Sequence, residues 1–363
     1  MERRTNGRNG SNPLTKMRKL IIYFIPFLVV ALSSCEKQQE GSQSTEIVLP
    51  SGNYILFSPK IETKAVLVND ISDMDPKKFY VWGYQYSNTT EWTVARPTAK
   101  PNLFWNKEVS YEDGIWVYED LQDWDLYSKY AFFAFYPGTV NGQISVTTQD
   151  HVNVPKVTYT LPLSSDRNNP ADPAGFYDLM TASAINKKAS DGIITFEFQH
   201  RLFCIEVVGQ NNDDEDHVIS DLKFELDDVA FGEMTVPMRK GDQMAPVEKE
   251  NRTGKAIFSI LSGDEKLTLP SDKTEVSFTE NETLANNDNI LLIPQDSRES
   301  NFRGTLYFKL DGADVQASFD APLNYIEAYK YKLTMSIIGG NVLLTMNNPV
   351  SWEVQPDVNF DFE

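Results

Sequence analysis

Cysteine is nearly absent from this chain: Cys35 and Cys204 are the only two among 363 residues. At most one disulfide could form, so packing and hydrogen bonding must hold the fold together. Histidine is as scarce, with His151, His200 and His217 alone. That leaves little material for a zinc centre or a thiolate nucleophile. No H-E-x-x-H, G-x-S-x-G, phosphate-binding loop or dinucleotide fingerprint occurs, so neither an enzyme nor a cofactor is expected. Positive charge is in deficit: 33 Lys and Arg face 52 Asp and Glu, a net charge of −19. Such acidity disfavours nucleic acid and anionic lipid surfaces as partners. Long stretches of helical period are missing too. The main uncharged apolar run, from Leu20 to Leu32, gives about 20 Å of helix, short of the roughly 30 Å hydrocarbon core.

What stands around that run is informative. Arg18 and Lys19 precede it, Pro26 interrupts it, and Ser33, Ser34 and Cys35 follow. A basic start, a short apolar middle and small residues at the end are the layout of an export signal. "MERRTNGRNGSNPLTK" reads as a polar upstream extension, which leaves Met1 and Met17 both open as the start. Leu32-Ser33-Ser34-Cys35 resembles the bacterial lipobox, which implies lipidation of Cys35 and anchoring at a membrane surface. One acyl chain anchors weakly, whereas the several implied here tether stably. Residues 1–34 then form an extension plus signal peptide, and 35–46 a lipidated polar tether. Removal of residues 1–34 would shift the net charge to −24, because they carry six cations and one anion. Cys204 would remain without an intramolecular partner.

Beyond residue 46, apolar residues recur with period two. "KFYVWGYQY" (78–86), "KYAFFAFYP" (129–137), "ITFEFQHRLFCIEVV" (194–208), "SDLKFELDDV" (220–229), "KAIFSIL" (255–261), "TLYFKL" (305–310), "YKLTMSI" (331–337) and "NVLLTM" (341–346) all read as strands. In "YKLTMSI", Tyr331, Leu333, Met335 and Ile337 share one face, as in a half-buried sandwich strand. "FFAF" and "FCIEVV" are apolar on both faces and so belong to covered strands. The chain length suits about two domains. "NKKASDG" (186–192) is the best break, giving an N-terminal β-sandwich at 47–187 and a C-terminal one at 188–363. The segment 164–178 reads as a surface loop of the first.

Three clusters could carry chemistry. His200, between two apolar strand segments, is either a base or ligand or, as the residues favour, a ring hydrogen-bonded at a bend. "NNDDEDH" (211–217) could hold calcium but lacks the spacing of a calcium loop, so a solvated hairpin loop is the better reading. Trp82, Trp92, Trp105, Trp116 and Trp124 all fall in the first half. They could form a sugar-stacking platform, although core packing explains most of them, leaving one or two exposed.

Several segments together resemble the fimbrillin family, the pilins and pilus-accessory lipoproteins of type V pili in Gram-negative anaerobes. They are "FSPKIETKAVLV" (57–68), "KFYVWGYQYS" (78–87), "VSYEDGIWVYEDLQDWDLYSKYAFFAFYP" (109–137), "YDLMTASA" (177–184), the strand pair around His200, and "YIEAYKYKLTMSIIGGNVLLTMNNPVSWE" (325–353). The resemblance implies an all-β fold of two transthyretin-like sandwiches in tandem. It also implies a structural, tip or anchor subunit of an adhesive pilus, partnered by other pilus subunits, tethered at the outer membrane and exposed at the surface. In that family a protease removes the first strand and a neighbour's strand fills the groove. "GNYILFSPKI" (52–61) is the expected first strand here. Family members typically offer arginine after it, whereas this chain offers Lys64, so processing would fall between Lys64 and Ala65. In "QPDVNFDFE", Val358, Phe360 and Phe362 alternate with polar residues, as a donor strand would and as an ordinary last strand also would. A surface glycan-binding lipoprotein is the alternative, and it would need two or three tryptophans or tyrosines exposed in one plane.

Overall fold

The period-two alternation becomes pleated sheet in a computed structural model that describes residues 52–61, 77–95, 98–138, 144–147, 156–161, 164–172, 177–230, 232–236, 253–281, 290–294, 302–321, 328–347 and 350–351. Strands among them form four hydrogen-bonded sheets, an all-β architecture. The first sheet has seven strands, in the order β1 (Phe57–Ile61), β9 (Ile194–His200), β8 (Met180–Lys187), β5 (Ser128–Tyr136), β2 (Lys78–Ser87), β3 (Phe104–Glu112) and β4 (Ile115–Val117). The second runs β15 (Val276–Ser277), β10 (Phe203–Asn211), β19 (Tyr329–Ile338) and β20 (Asn341–Met346). Two short strands join it, β16 (Ile290–Leu292) on β10 and β21 (Val350–Ser351) on β19. The third runs β13 (Thr253–Ser259), β11 (His217–Ala230), β17 (Phe302–Leu310) and β18 (Ala313–Ala321), with β14 (Lys266–Leu269) also on β11. The fourth is β12 (Gly232–Val236), β7 (Lys156–Leu161) and β6 (Ile144–Thr147). One helical turn, α1 (Trp92–Ala95), buries Trp92. No described helix is long and apolar enough to cross a membrane.

Local chemistry sets the hairpins. β3–β4, β17–β18 and β19–β20 are joined by Asp113-Gly114, Asp311-Gly312 and Gly339-Gly340, and all six residues have positive φ. Two-residue turns of that hand match the twist of the strands they join, and Asp and Gly tolerate the conformation best.

Strand β5 shows why a run can be apolar on both faces. Ala131, Phe133 and Phe135 face a large core, while Tyr130, Phe132, Ala134 and Tyr136 face a smaller one. The smaller core draws on residues 55–198 only. The larger core joins Trp82, Tyr84 and Tyr159 of the first half to Leu202, Val207, Phe224, Leu333 and Ile337 of the second. The break expected at 187–188 lies between β8 and β9, two strands of the same sheet. Likewise β12, from the second half, pairs with β7, from the first.

Two connections differ from their sequence reading. Residues 164–172 were expected to belong to the first half, yet they line the outer edge of β13. There Ile257 N–H donates to Ser164 O, and Ala171 exchanges backbone bonds with Ile257 and Ser259. Arg167 fastens the segment, with Nε 2.7 Å from Glu225 Oε2 and its guanidinium 3.9 Å from the Tyr307 ring centre. The 211–217 run, expected in a hairpin, instead carries the chain from β10 in one sheet to β11 in another.

Candidate functional site: the first-strand groove

The segment from Asn53 to Ile61 changes partners halfway along. Its first part bonds to the 122–124 segment: Ile55 N–H donates to Gln122 O at 2.8 Å, Trp124 N–H to Asn53 O at 2.9 Å, and Asn53 Nδ2 to Trp124 O at 3.2 Å. Its second part, β1, lies parallel to β9, with Phe57 opposite Ile194 and Ile61 opposite Phe198. Among the described residues β9 pairs with β8 only through Gln199 and His200, while Ile194–Phe198 pair with β1. An edge strand thus supplies the pairing of five residues in its neighbour.

Side chains alternate as a strand requires. Ile55, Phe57 and Pro59 are buried, and Lys60 is exposed. Phe57 stands among rings from three strands: Phe104 at 5.6 Å, Phe132 at 5.4 Å and Phe196 at 5.3 Å between centroids, the last one stacked. Burying Ile55 and Phe57 stabilises this edge by about 1.5–3 kcal/mol each.

Tyr118 closes the groove. Its hydroxyl donates to Ile55 O at 2.7 Å and accepts the Gln122 N–H at 3.1 Å, so one group ties the first strand to the segment beside it. Its ring packs on Phe57 and Phe104. Burial pushes the phenol up to about 12, partly offset by the Gln122 N–H, which keeps it neutral and able to donate. The sequence pointed to the strand itself, and the walls were missed. Phe104, Tyr118 and Phe196 look like ordinary strand aromatics until the sheet brings them together.

The other candidates resolve into structure. His200 ends β9 with Nδ1 2.6 Å from Asp178 Oδ2, both side chains buried, in keeping with a ring hydrogen-bonded at a bend. Arg201 follows, also buried, with Nε 2.6 Å from Thr181 Oγ1. In the acidic run, Asp213 accepts the backbone N–H groups of Gly339 and Gly340, and His217 bridges Asp213 and Asp311. That knits three strand connections together, and among the described residues no cluster is suited to a metal ion. Cys204 is a buried core residue of β10. Trp82, Trp92, Trp116 and Trp124 are buried, and Trp105 alone of these five is exposed. Cys35, Lys64, Ala65, Val358, Phe360 and Phe362 lie outside the described residues.

Comparison with known proteins agrees with this architecture. The solved structure of a fimbrial protein from Bacteroides vulgatus is similar over 82% of this chain and 99% of that one, with 14% identity and a TM-score of 0.61. A putative cell adhesion protein from Bacteroides ovatus is 14% identical over 84% of this chain and 99% of that one, with a TM-score of 0.49. The fimbrial anchor protein Mfa2 of Porphyromonas gingivalis is 12% identical over 75% of this chain and 88% of that one, with a TM-score of 0.30. No curated protein matches significantly. The first of these likenesses supports the fold, and the sequence profile of fimbrillin-like proteins matches residues 63–352. Because that match covers well over half of the chain, the chain belongs to the fimbrillin-like family of fimbrial proteins.

Proposed function

We propose that this chain is a surface lipoprotein subunit of an adhesive pilus, built as two tandem sandwiches and joined to its neighbours by strand exchange. The observation that carries the reading is the first strand, which fills an apolar groove from the sheet edge and supplies most of the backbone pairing of β9. Removing it would expose the Ile55 and Phe57 pockets together with a row of unpaired backbone groups. A strand from another subunit satisfies both at once. Donor and groove are different surfaces, so the contact repeats head to tail and builds a filament. Release requires withdrawing the whole strand, which makes the polymer kinetically stable.

The tail fits the donor role by its spacing. Val358, Phe360 and Phe362 repeat the apolar period of Ile55, Phe57 and Pro59. Cleavage between Lys64 and Ala65 would free the groove. Lipid on Cys35 would hold the precursor at the outer membrane until then, and would hold an uncleaved copy there as an anchor. Partners are other pilus subunits, with the assembled form in the fimbrium.

The test is to heat the surface fraction in detergent at graded temperatures before electrophoresis. A ladder that dissociates only at high temperature is expected, with released subunits beginning at Ala65. A chain lacking residues 356–363 should fold but fail to join the ladder. A lone monomer band from assembled, cleaved material would overturn strand exchange. An intact lipid-linked residue 35 throughout the fibre would overturn cleavage.

A further inference from the structure

The three most exposed large apolar side chains among the described residues are Tyr127 (81%), Leu126 (72%) and Val94 (71%). They stand at one end of the seven-stranded sheet. Ser87, the last residue of β2, pairs with Ser128, the first of β5, and Leu126 and Tyr127 form the turn just before it. Val94 lies on α1, and Glu91 at the start of that helical turn is ion-paired with Lys129 of β5. Ile193, also exposed, precedes β9 at the same end.

Turn centres usually hold Gly, Pro, Asn, Asp or Ser, so a Leu-Tyr pair there calls for a reason. The turn is not loose. Tyr127 N–H donates to Asp125 Oδ1 at 2.9 Å, and the Ser128 hydroxyl donates to Asp125 Oδ2 at 2.7 Å. Gln85 Nε2 donates to Asp125 Oδ2 at 3.1 Å and to Ser128 Oγ at 2.9 Å. Asp125 N–H in turn donates to the Tyr130 hydroxyl at 2.7 Å. A braced backbone therefore holds Leu126 and Tyr127 out into solvent.

What meets them follows from where the chain arrives. The described residues begin at Gly52, and Asn53 O accepts the N–H of Trp124, two residues before Leu126. From Cys35 to Gly52 is 17 residues, at most about 60 Å of extended chain. A contact between this end and a surface that holds Cys35 is then intramolecular, and a weak one suffices. Local charge permits it. Lys129, Lys187 and Lys188 stand here against Glu91, Asp123, Asp125 and Asp191, near balance in a chain of −19. Tyrosine beside aliphatic side chains suits the boundary between lipid and water.

We propose that this end of the first sheet seats on a zwitterionic lipid surface, with Leu126 and Tyr127 inserted at the interface and Val94 beside them. The inference rests on the lipoprotein reading and deepens it: the lipid on Cys35 holds the chain at the membrane, and the Leu126-Tyr127 turn orients it. A tethered subunit seated this way stands end-on. The β3–β4 turn, at the opposite end of the same sheet, then points away from the membrane.

The test places the full lipidated chain in phosphatidylcholine vesicles containing spin-labelled phosphatidylcholine. A small fluorophore is attached at Leu126→Cys, at Val94→Cys or, as the control, at Leu343→Cys, an exposed position on β20. Cys204 is buried, and the chain without an introduced cysteine is the blank. Lipid spin labels should quench the fluorophore at 126 and 94 about twofold and leave that at 343 unchanged. All three sites are exposed, so melting temperatures should match the parent and show that folding is intact. No quenching at 126, or equal quenching at 126 and 343, would overturn the seating. A fluorophore at 126 shielded from aqueous iodide yet unquenched by lipid would also overturn it, since residues 36–51 or a second copy would then cover the turn. Flotation separates the two readings. Chains that float with the vesicles but stay unquenched sink the seating alone, and chains that do not float remove the lipid anchor and the seating together.

Discussion

Tyr118 shows how one hydroxyl can set the stability of an edge. Replacing it with Phe leaves the Ile55 carbonyl and the Gln122 N–H without their shared partner, at a cost of about 1–3 kcal/mol. The urea midpoint of Tyr118→Phe should fall accordingly, and an unchanged midpoint would mean the contact contributes nothing. Alkali tests the same group. Its folded value, raised from 10.0 to about 12, gives a stabilisation that is complete below pH 10 and lost as pH rises through 12. His217 acts nearer neutrality. Asp311 first, and Asp213 with it, raise the imidazole above its ordinary 6.5. Its contribution is therefore full below pH 6.5 and declines as pH rises through the raised folded value. Asp311 is held low mainly by the Val218 N–H, and Asp213 by the Gly340 and Gly339 N–H groups. Their contributions hold above 3.8 and fade as pH drops through the lowered folded values. Melting temperature against pH should show both declines, and His217→Gln should chiefly flatten the one on the alkaline side. An identical alkaline decline in the variant would remove His217 from the account.

At the scale of elements, β1 and β9 behave as a pair, because β9 has few other ladder contacts. Phe57→Ala opens a cavity among three aromatic rings and should cost about 3–5 kcal/mol. Hydrogen exchange should then show Ile194–Phe198 losing protection first, while β19 keeps its own. Uniform loss across both would contradict the pairing. Much of this element structure was legible in the sequence. Tyr331, Leu333, Met335 and Ile337 are buried as their alternation required, and the doubly apolar β5 is covered on both faces. Period reports which face of a strand is apolar, but not which strand lies beside it. The parallel pairing of β1 with β9, and of β10 with β19, spans more than a hundred residues and leaves no local trace. The groove walls at Phe104, Tyr118 and Phe196 were illegible for that reason. The register shift between β2 and β3, where Trp105 and Asn106 together oppose Trp82, was hidden too, because it belongs to two strands at once. The 164–172 segment was placed by composition with the half that precedes it, while its hydrogen bonds lie with β13.

At the scale of the whole molecule, the two cores predict different responses to damage. The larger one takes Trp82, Tyr84, Phe133 and Tyr159 from the first half and most apolar strand residues of the second, so neither half can expose its face alone. Residues 47–363 form one compact unit accordingly. Calorimetry should show one cooperative transition, and Leu333→Ala, fully buried in the larger core, should lower it as a single peak by about 2–5 kcal/mol. The smaller core is confined to residues 55–198 and carries the first strand at its rim. Damage there should loosen the rim without splitting the transition, since β5 remains clamped from its other face. The proposed strand exchange would need that asymmetry, with a local edge that can open and a shared interior that does not follow it. Two separate peaks, with Leu333→Ala moving only one of them, would show that the halves melt independently and that the shared core does not couple them.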